Sequence, residues 1–519
     1  MSPMLAYPKV LQYYYIGVDA FLSKMGLKYD NLLYSRGYLL TEEQYDNSGA
    51  VPASWKSTSV GRYAIRYSSN LEISTSSVDD TEIVCIGRIL DCRAKTFDID
   101  KVTMSLGERY EESRAKFFDR LDYLAGRFLL LVHSTDSTFI VTDATANRSA
   151  FYNIDVPAVA SHPTLLADVT GMSEDPDAVA FRDSNVYQSH RDSYFPGIKT
   201  PYQSIRSLTP NTLLEIPEMT IERFYPRSQR TERSVADVAG EVAELLKSQV
   251  QLLSDSKPLA VSLTAGLDSR LTLAATRNVA DDVLYYTLVF DDESRKEAAI
   301  ARELCTALDL NHRTVNVPNN VGDKFYTFFS ENVAGMSSPF RARMGKALLE
   351  QYPSNRLHLK SNVAEVGRTF YRDSYAFLPE ADAAMQSRLY GIAHDSKFVR
   401  GAFQEFIEKT AFDPSGNAGF DPYDLYYWEH RIGIWQGLSL LEWDIAQDTH
   451  ILFNCRRLLE LTLSVPYEDR RHNRLFHNLI EKLWPETMTL PIDAHDSERK
   501  VMRNLKPIRR MVATALLYR

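Results

Sequence analysis

The sequence predicts a chain of mixed α/β and α+β class, with a parallel-sheet domain in its second half. Three observations lead there. Residues 259–270, LAVSLTAGLDSR, read as a buried strand, a small-residue turn and the opening of a helix. Strand-like and helix-like segments then alternate as far as residue 317, the pattern of right-handed crossovers in a parallel sheet. A polar, charged stretch at 225–233, YPRSQRTER, separates that half from the one before it.

Taken in order, Ser234 with Asp237 three residues on gives a capping-box-like helix start. Val235, Val238, Val242, Leu245, Leu246 and Leu253 make the apolar face of that helix. It leads into the strand at 259, where Leu259, Val261 and Leu263 are apolar. Thr264, Ala265 and Gly266 are small enough to let a ligand reach the backbone, and Asp268 and Ser269 fall where the next helix opens. The free N–H groups and positive dipole end of a helix favour an anion there. A hydroxyl such as Ser269 suits a phosphate, and a carboxylate such as Asp268 suits a magnesium ion beside it.

The second strand, VLYYTLVF at 283–290, is rich in β-branched and aromatic residues and ends in the acidic Asp291, Asp292 and Glu293. Residues 296–308 carry helical apolar spacing at Ala299, Ile300, Leu304 and Leu308, and HRTVNV at 312–317 is the next strand. Ligands of such sheets bind at the carboxyl ends of the strands. Residues 264–269 and 288–291 therefore share one rim, the first for phosphates and the second for adenine through the strand backbone.

A chain of 519 residues with 44% hydrophobic content suffices for two domains and two cores. A net charge of −9 without a long basic block argues against nucleic-acid binding. Cys85, Cys92, Cys305 and Cys455 have no metal-like spacing and read as reduced, buried thiols. No apolar run reaches transmembrane length. The segment 10–22 is rich in Tyr and lacks a basic leader, so it reads poorly as a signal peptide. The expectation is a cytoplasmic enzyme without a membrane partner. Residues 41–55 are polar and read as a loop, and the polar stretch 173–189 is expected to cross near the active-site mouth.

The segment TAGLDS at 264–269 resembles the pyrophosphate loop S-G-G-x-D-S of the ATP pyrophosphatase families, and it lacks the Gly-Lys-Ser/Thr ending of a Walker A loop. Residues 357–371, LHLKSNVAEVGRTFY, resemble the asparagine synthetase motif S-G-E-G-A-D-E-L-F-G-G-Y. Ala364 meets the alanine of that motif, Glu365 the aspartate and Tyr371 the final tyrosine. Asn362 stands at the family glutamate and Val363 at a glycine. Residues 448–466 resemble the family segment around E-x-R-x-P-F-L-D, with Asp448 at the glutamate and Phe453 at the phenylalanine, while Asn454 and Cys455 replace its Leu-Asp pair. The helix at 475–483 and Trp484-Pro485 precede a C-terminal loop in which the resemblance implies a catalytic lysine, Lys500 or, in its place, Lys506.

The first half resembles the glutaminase domain that begins asparagine synthetases. LAGRFLLLV at 124–132 matches its L-x-G-x-F-A-F strand, 139–152 a hairpin, AVAS at 158–161 a strand and LTPNTLLE at 208–215 its L-x-P-G-x-x-L segment. The resemblance fades over about the first hundred residues. The N-terminal catalytic cysteine is missing; Ser2 followed by Pro3 stands there, and no cysteine precedes Cys85. The resemblance thus implies a degenerate Ntn-hydrolase-like αββα sandwich over 1–228. It implies an adenine-nucleotide α-hydrolase-like parallel-sheet domain, with a helical C-terminal part, over 229–519.

The function implied is that of the asparagine synthetase superfamily, which includes β-lactam synthetases and lasso peptide cyclases. A carboxylate is adenylated by ATP with release of pyrophosphate, and an amine or ammonia then displaces AMP to form an amide. The chain's own glutaminase activity is absent from this expectation. The small-molecule or peptide carboxylate belongs to specialised-metabolite, peptide or surface-polysaccharide biosynthesis. Ammonia-dependent amidation of a small carboxylate and an inactive scaffold of the same fold are the alternatives. The expected nucleotide contacts are Ser262, Leu263, Thr264, Ala265, Gly266, Leu267, Asp268, Ser269, Arg270, Leu288, Phe290 and Asn362. Mg2+ falls to Asp268 and Glu365, and catalysis to Lys500, Glu365 and Asp448. A partner protein supplying substrate or ammonia, and a homo-oligomer, are compatible with it. No base for the incoming amine is visible, because Asn362 holds the family glutamate's place. Arg341 and Arg343 are either solvated or bind an acidic substrate, solvation being the simpler reading.

Overall fold

The computed structural model describes residues 32–42, 51–372 and 380–492. Its first strands are β1 (Tyr38–Glu42), β2 (Lys56–Val60), β3 (Tyr63–Tyr67), β4 (Ile73–Val78), β5 (Thr81–Asp91) and β6 (Leu124–His133). They are followed by β7 (Thr138–Thr142), β8 (Phe151–Asn153), β9 (Ala158–Ala160), β10 (Ile205–Ser207), β11 (Thr212–Ile216) and β12 (Thr220–Arg223). They form two six-stranded antiparallel sheets, ordered β10-β8-β9-β1-β3-β2 and β12-β11-β7-β6-β5-β4.

Side-chain alternation stacks these sheets. Leu129 and Leu131 of β6, Ile140 of β7 and Val84 and Ile86 of β5 meet Tyr38, Leu40 and Ile65 of the other sheet in one apolar layer. The intervening residues Ile83, Cys85, Leu130 and Val132 face outward into a second core, where the helix Ile99–Glu112 packs through Val102 and Leu106. The helix Pro163–Thr170 covers the outer side of β8 and β9 through Leu165 and Leu166. The result is a helix–sheet–sheet–helix layering. Strand β6 is buried on both faces, which is why its sequence is nearly unbroken in apolar residues.

One local expectation is corrected. Residues 139–152 are not a hairpin: β7 and β8 lie in opposite sheets. The connection between them is held by the Asp143 carboxylate, which accepts from the backbone N–H groups of Phe128, Thr145, Asn147 and Arg148 at 2.7–3.2 Å. That anchor carries the chain across the sandwich. The polar stretch 173–189 carries two short helices. Asp175 caps a helix Pro176–Arg182 that starts on proline, and Ser184 caps Asn185–Gln188.

The parallel sheet consists of β13 (Leu259–Ser262), β14 (Leu284–Val289), β15 (His312–Asn316), β16 (Leu357–Leu359) and β17 (Thr449–His450), ordered β15-β14-β13-β16-β17. The helix Val235–Ser256 begins as its sequence indicates, with the Ser234 hydroxyl accepting from Asp237 N–H at 3.2 Å. The helix Asp292–Ala307 starts four residues before its apolar spacing, because Asp291 and Ser294 form a reciprocal capping box. Beyond residue 383 the described chain is mainly helical.

Sandwich and parallel sheet share one continuous apolar cluster. Buried charges also tie them together. Arg127 on β6 forms a two-pronged pair with Asp444 at 2.5 and 2.8 Å, and Arg223 pairs with Glu429 at 2.7 Å through both nitrogens. The 225–233 stretch has no helix or strand, yet it is fixed in place: Arg230 donates to Leu463 O at 2.7 Å and Arg233 N–H to Ser464 O at 3.0 Å. Among the described residues no helix is long and apolar enough to cross a membrane.

Candidate active site at the carboxyl rim of the parallel sheet

The two central strands separate where β13 ends. Their last rung is Leu263 N–H to Tyr286 O at 2.8 Å, and Thr287 Oγ1 ties to Leu263 O at 2.7 Å. Backbone groups alternate sides along a strand. The N–H and C=O of Leu288 therefore point the same way as those of Tyr286, into the space that β13 has left. Phe290 follows at the strand end, with its ring edge-on to Phe340 at 5.2 Å and under the Arg191 guanidinium at 4.6 Å.

Residues 263–270 divide into core and rim. Leu263, Ala265 and Leu267 bury their side chains, so only their backbone remains for a ligand. The Ser269 hydroxyl sits 2.9 Å from Thr264 O, 3.0 Å from Gly266 O and 3.1 Å from both Thr264 N and Thr264 Oγ1. It clasps the loop onto itself, which corrects the expectation of a hydroxyl turned to phosphate. Thr264 Oγ1 accepts from Gly266 N–H at 3.2 Å. A Cβ on Gly266 would lie 3.3 Å from that same oxygen, so the position favours glycine for space. The N-cap residue Gly266 supplies no side-chain cap to the helix Leu267–Ala275, whose N-terminal end favours an anion.

Asp268 and Glu365 converge on this rim. Arg368, one turn beyond Glu365, joins Asp268 through Nη1 to Oδ2 at 2.6 Å and donates from Nε to Asn473 at 3.0 Å. Asp268 Oδ1 and Glu365 Oε2 are buried and have no hydrogen-bond partner. Burial, and then the Asp268 charge, push the Glu365 carboxyl up to about 7, against the pull of Arg368. Burial likewise raises Asp268, with Arg368 opposing. Val363, at the family's glycine position, holds φ +78°, a conformation costly for a β-branched residue and typical of functional turns. Ser262 ends β13 with its carbonyl 3.4 Å from the Ser361 hydroxyl, and Asn362 lies half-buried beside it.

Glu365 gives a pH signature. Unfolded, it ionises near about 4.3; folded, it ionises at about 7. Between these values the folded chain keeps a proton that the unfolded chain has lost. The stability contributed by this group is therefore present at acid pH and lost as pH rises through about 7. Asp168, raised to about 6 by burial, and Glu331, raised to about 7 by burial and then Asp168, act with the same sign. Glu365→Gln is expected to flatten the decline between roughly pH 5 and 7 in metal-free buffer, read from denaturation midpoints. An unchanged slope would remove Glu365 from a buried, charge-loaded site.

Three expected residues are placed elsewhere. Asp448 does not reach the rim. Its carbonyl accepts from His358 N–H at 2.9 Å, setting it level with Leu357 and Leu259 at the amino ends of the strands. Its carboxylate is paired with Arg88 at 2.5 Å; against the upward push of burial, Arg88 and Arg36 hold it far below the usual range. Arg270 turns its guanidinium onto the carbonyls of Thr487, Leu490 and Pro491 at 2.5–2.8 Å, so it anchors the C-terminal segment rather than the nucleotide. Arg341 is not solvated: it is 4% exposed and pairs with Glu442 at 2.6 Å. Arg343 donates to Pro318 O at 2.6 Å. Lys500, Lys506 and Ser2 lie outside the described residues.

Arg368 and Arg191 were missed. For Arg368 the signal was its spacing, three residues past an acid, which sets both on one helical turn. Arg191 had no sequence signal, since it reaches the rim from the sandwich half.

Residues 241–347 match the family model described as asparagine synthase. The matched stretch holds the 264–269 loop, β14 and Arg341, and it stops before Glu365. It points to the ATP-using carbon–nitrogen ligases. No curated protein matches the chain. Solved structures similar to it include an NMN synthetase from Francisella tularensis, at 13% identity and a TM-score of 0.21, over 39% of this chain and 97% of that one. A glutamine phosphoribosylpyrophosphate amidotransferase from B. subtilis, complexed with ADP and GMP, gives 14% identity and a TM-score of 0.23, over 65% and 71%. A further similar structure is described as the allosteric regulatory enzyme of purine biosynthesis, with 11% identity and a TM-score of 0.23, over 72% and 73%. TM-scores this low do not establish a common fold.

Proposed function

Because the match over residues 241–347 supports an asparagine synthetase superfamily assignment, we propose that this chain is an ATP-dependent amide-forming ligase. It adenylates a substrate carboxylate, releases pyrophosphate, and passes the acyl group to an amine or to ammonia. The observation that carries this reading is the convergence of Asp268, Arg368 and Glu365 on the uncapped helix start at Leu267.

In this reading the N–H groups of Leu267, Asp268 and Ser269 bind the phosphates, and the Leu288 backbone orients the adenine. Arg368 exchanges its Asp268 partner for a phosphate oxygen, a bidentate contact that its planar fork suits. Asp268 and Glu365 offer the orphaned oxygens Oδ1 and Oε2, hard donors that fit Mg2+. Among the described residues no group of three or more His, Cys, Asp and Glu forms a self-sufficient metal cage. That suits Mg2+, which takes one or two carboxylates and completes its shell with phosphates and water. When bound, the ion would neutralise charge on the departing pyrophosphate. The sandwich formed by the described residues before 229 is taken as an Ntn-hydrolase-like domain that supports the synthetase half, with domain bounds proposed at 1–228 and 229–519. The proposed nitrogen source is ammonia, an amine on the substrate or a partner protein, in specialised-metabolite, peptide or surface-polysaccharide biosynthesis.

The test is ATP–pyrophosphate exchange with amino-acid, N-acyl amino-acid, peptide and sugar carboxylates. Exchange that depends on one carboxylate class is the expected result. ATP hydrolysis to ADP, or no exchange with any class, contradicts the reading.

A further inference from the structure

We propose that Lys360 is a further catalytic residue: the base that takes a proton from the attacking nitrogen in the amide-forming step. This rests on the adenylation reading above. Lys360 follows β16 at its carboxyl end, on the rim that carries Ser361, Asn362 and Glu365. Its backbone N–H is fixed to His450 O at 3.0 Å. Its side chain shares the strand face of His358, which contacts Tyr286, Tyr352 and Trp443. There Nζ lies 3.9 Å from the Trp443 ring centre. No described carboxylate comes within ion-pair distance of it. In the ungapped alignment that sets Ala364 on the motif alanine, Lys360 falls on the motif's serine.

The charged groups around Nζ come from every neighbouring element. Arg341 reaches in from the helix Pro339–Gln351 and is neutralised by Glu442 of the helix Gly437–Trp443 at 2.6 Å. Glu365 lies beyond the strand end, and His358 lies two residues back. Burial, then Arg341, bring the ammonium down to about 7, while Glu365 and Glu442 pull the other way. A half-buried amine without a carboxylate partner, able to shed and regain a proton near neutral pH, is suited to general base work. Asn362, which has no such capacity, occupies the place where the family pattern has an acid.

The step balances as follows. An incoming R–NH3+ gives one proton to the Nζ lone pair. The freed nitrogen lone pair forms the C–N bond at the acyl carbon. The bond from that carbon to the adenylate oxygen breaks, and its electrons leave on AMP. The second nitrogen proton passes to water as the adduct collapses, and Lys360 returns its own proton to solvent.

The experiment uses the full chain and the carboxylate selected by wild-type ATP–pyrophosphate exchange, with ammonium chloride or hydroxylamine as nucleophile. Hydroxylamine is largely unprotonated at neutral pH and needs no base. Lys360→Met and Lys360→Arg are expected to keep exchange and hydroxamate formation. Both should lose about 100-fold in amide formation from ammonia at pH 7, recovering as pH rises. Equal losses with both nucleophiles, full activity in Lys360→Arg, or loss of exchange in Lys360→Met would each overturn the proposal. A wild type without exchange would overturn the adenylation reading itself, a separate outcome.

Discussion

Asp268→Asn is expected to lower ATP–pyrophosphate exchange about a thousandfold, the scale of losing one preorganised charge stabiliser in a water-poor site. The substitution keeps the size and shape of the side chain and removes only its charge. Asp268 is 18% exposed and is joined to Arg368, while its second oxygen has no partner. A neutral amide cannot replace a carboxylate as a ligand for a hard cation. Release of Arg368 costs little by comparison, because that guanidinium retains Asn473 and partial solvent access. Exchange should therefore collapse while the melting temperature moves little. Activity within tenfold of the wild type would remove the loop from the chemistry.

Asp444→Asn is expected to have the largest effect on stability, about 3–5 kcal/mol, the scale of breaking a buried ion pair by removing one partner. Asp444 is 1% exposed and Arg127 is 3% exposed. Arg148 Nη1 lies 3.9 Å from the same carboxylate, and burial followed by Arg127 brings Arg148 down to about 10. Removing the anion leaves two guanidinium groups buried together without compensation. The pair bridges the sandwich and the helical part of the second half, so unfolding should shift as one transition, read by calorimetry and denaturant midpoint. A loss below about 1 kcal/mol would mean that water enters this contact.

Much of the fold was legible because its signals are local. Ser234 before an amphipathic run announces the helix Val235–Ser256, and LAVS followed by small residues announces β13 and its turn. The 264–269 loop and Glu365 were legible as motif letters, and the structure brings them together. What failed depends on facts that letters do not carry. Asp448 matched a motif position, but the two-residue β17 places it at the amino edge of the sheet, facing Arg88. Arg270 follows the loop in sequence, yet the helical turn rotates it into the C-terminal segment. Strands β7 and β8 read as neighbours until Asp143 drew the intervening turn across the sandwich. Lys360 and Arg368 went unread because each takes its meaning from groups distant in sequence, Trp443 and Asp268 respectively.

The most direct test is the structure of the protein bound to α,β-methylene-ATP and Mg2+. The account predicts the triphosphate against the N–H groups of Leu267, Asp268 and Ser269. It places the metal between Asp268 and Glu365, Arg368 drawn off Asp268 toward phosphate, and the adenine edge along Leu288. A nucleotide bound elsewhere, or one seated here with the Asp268–Arg368 pair intact and no metal at Glu365, would contradict it.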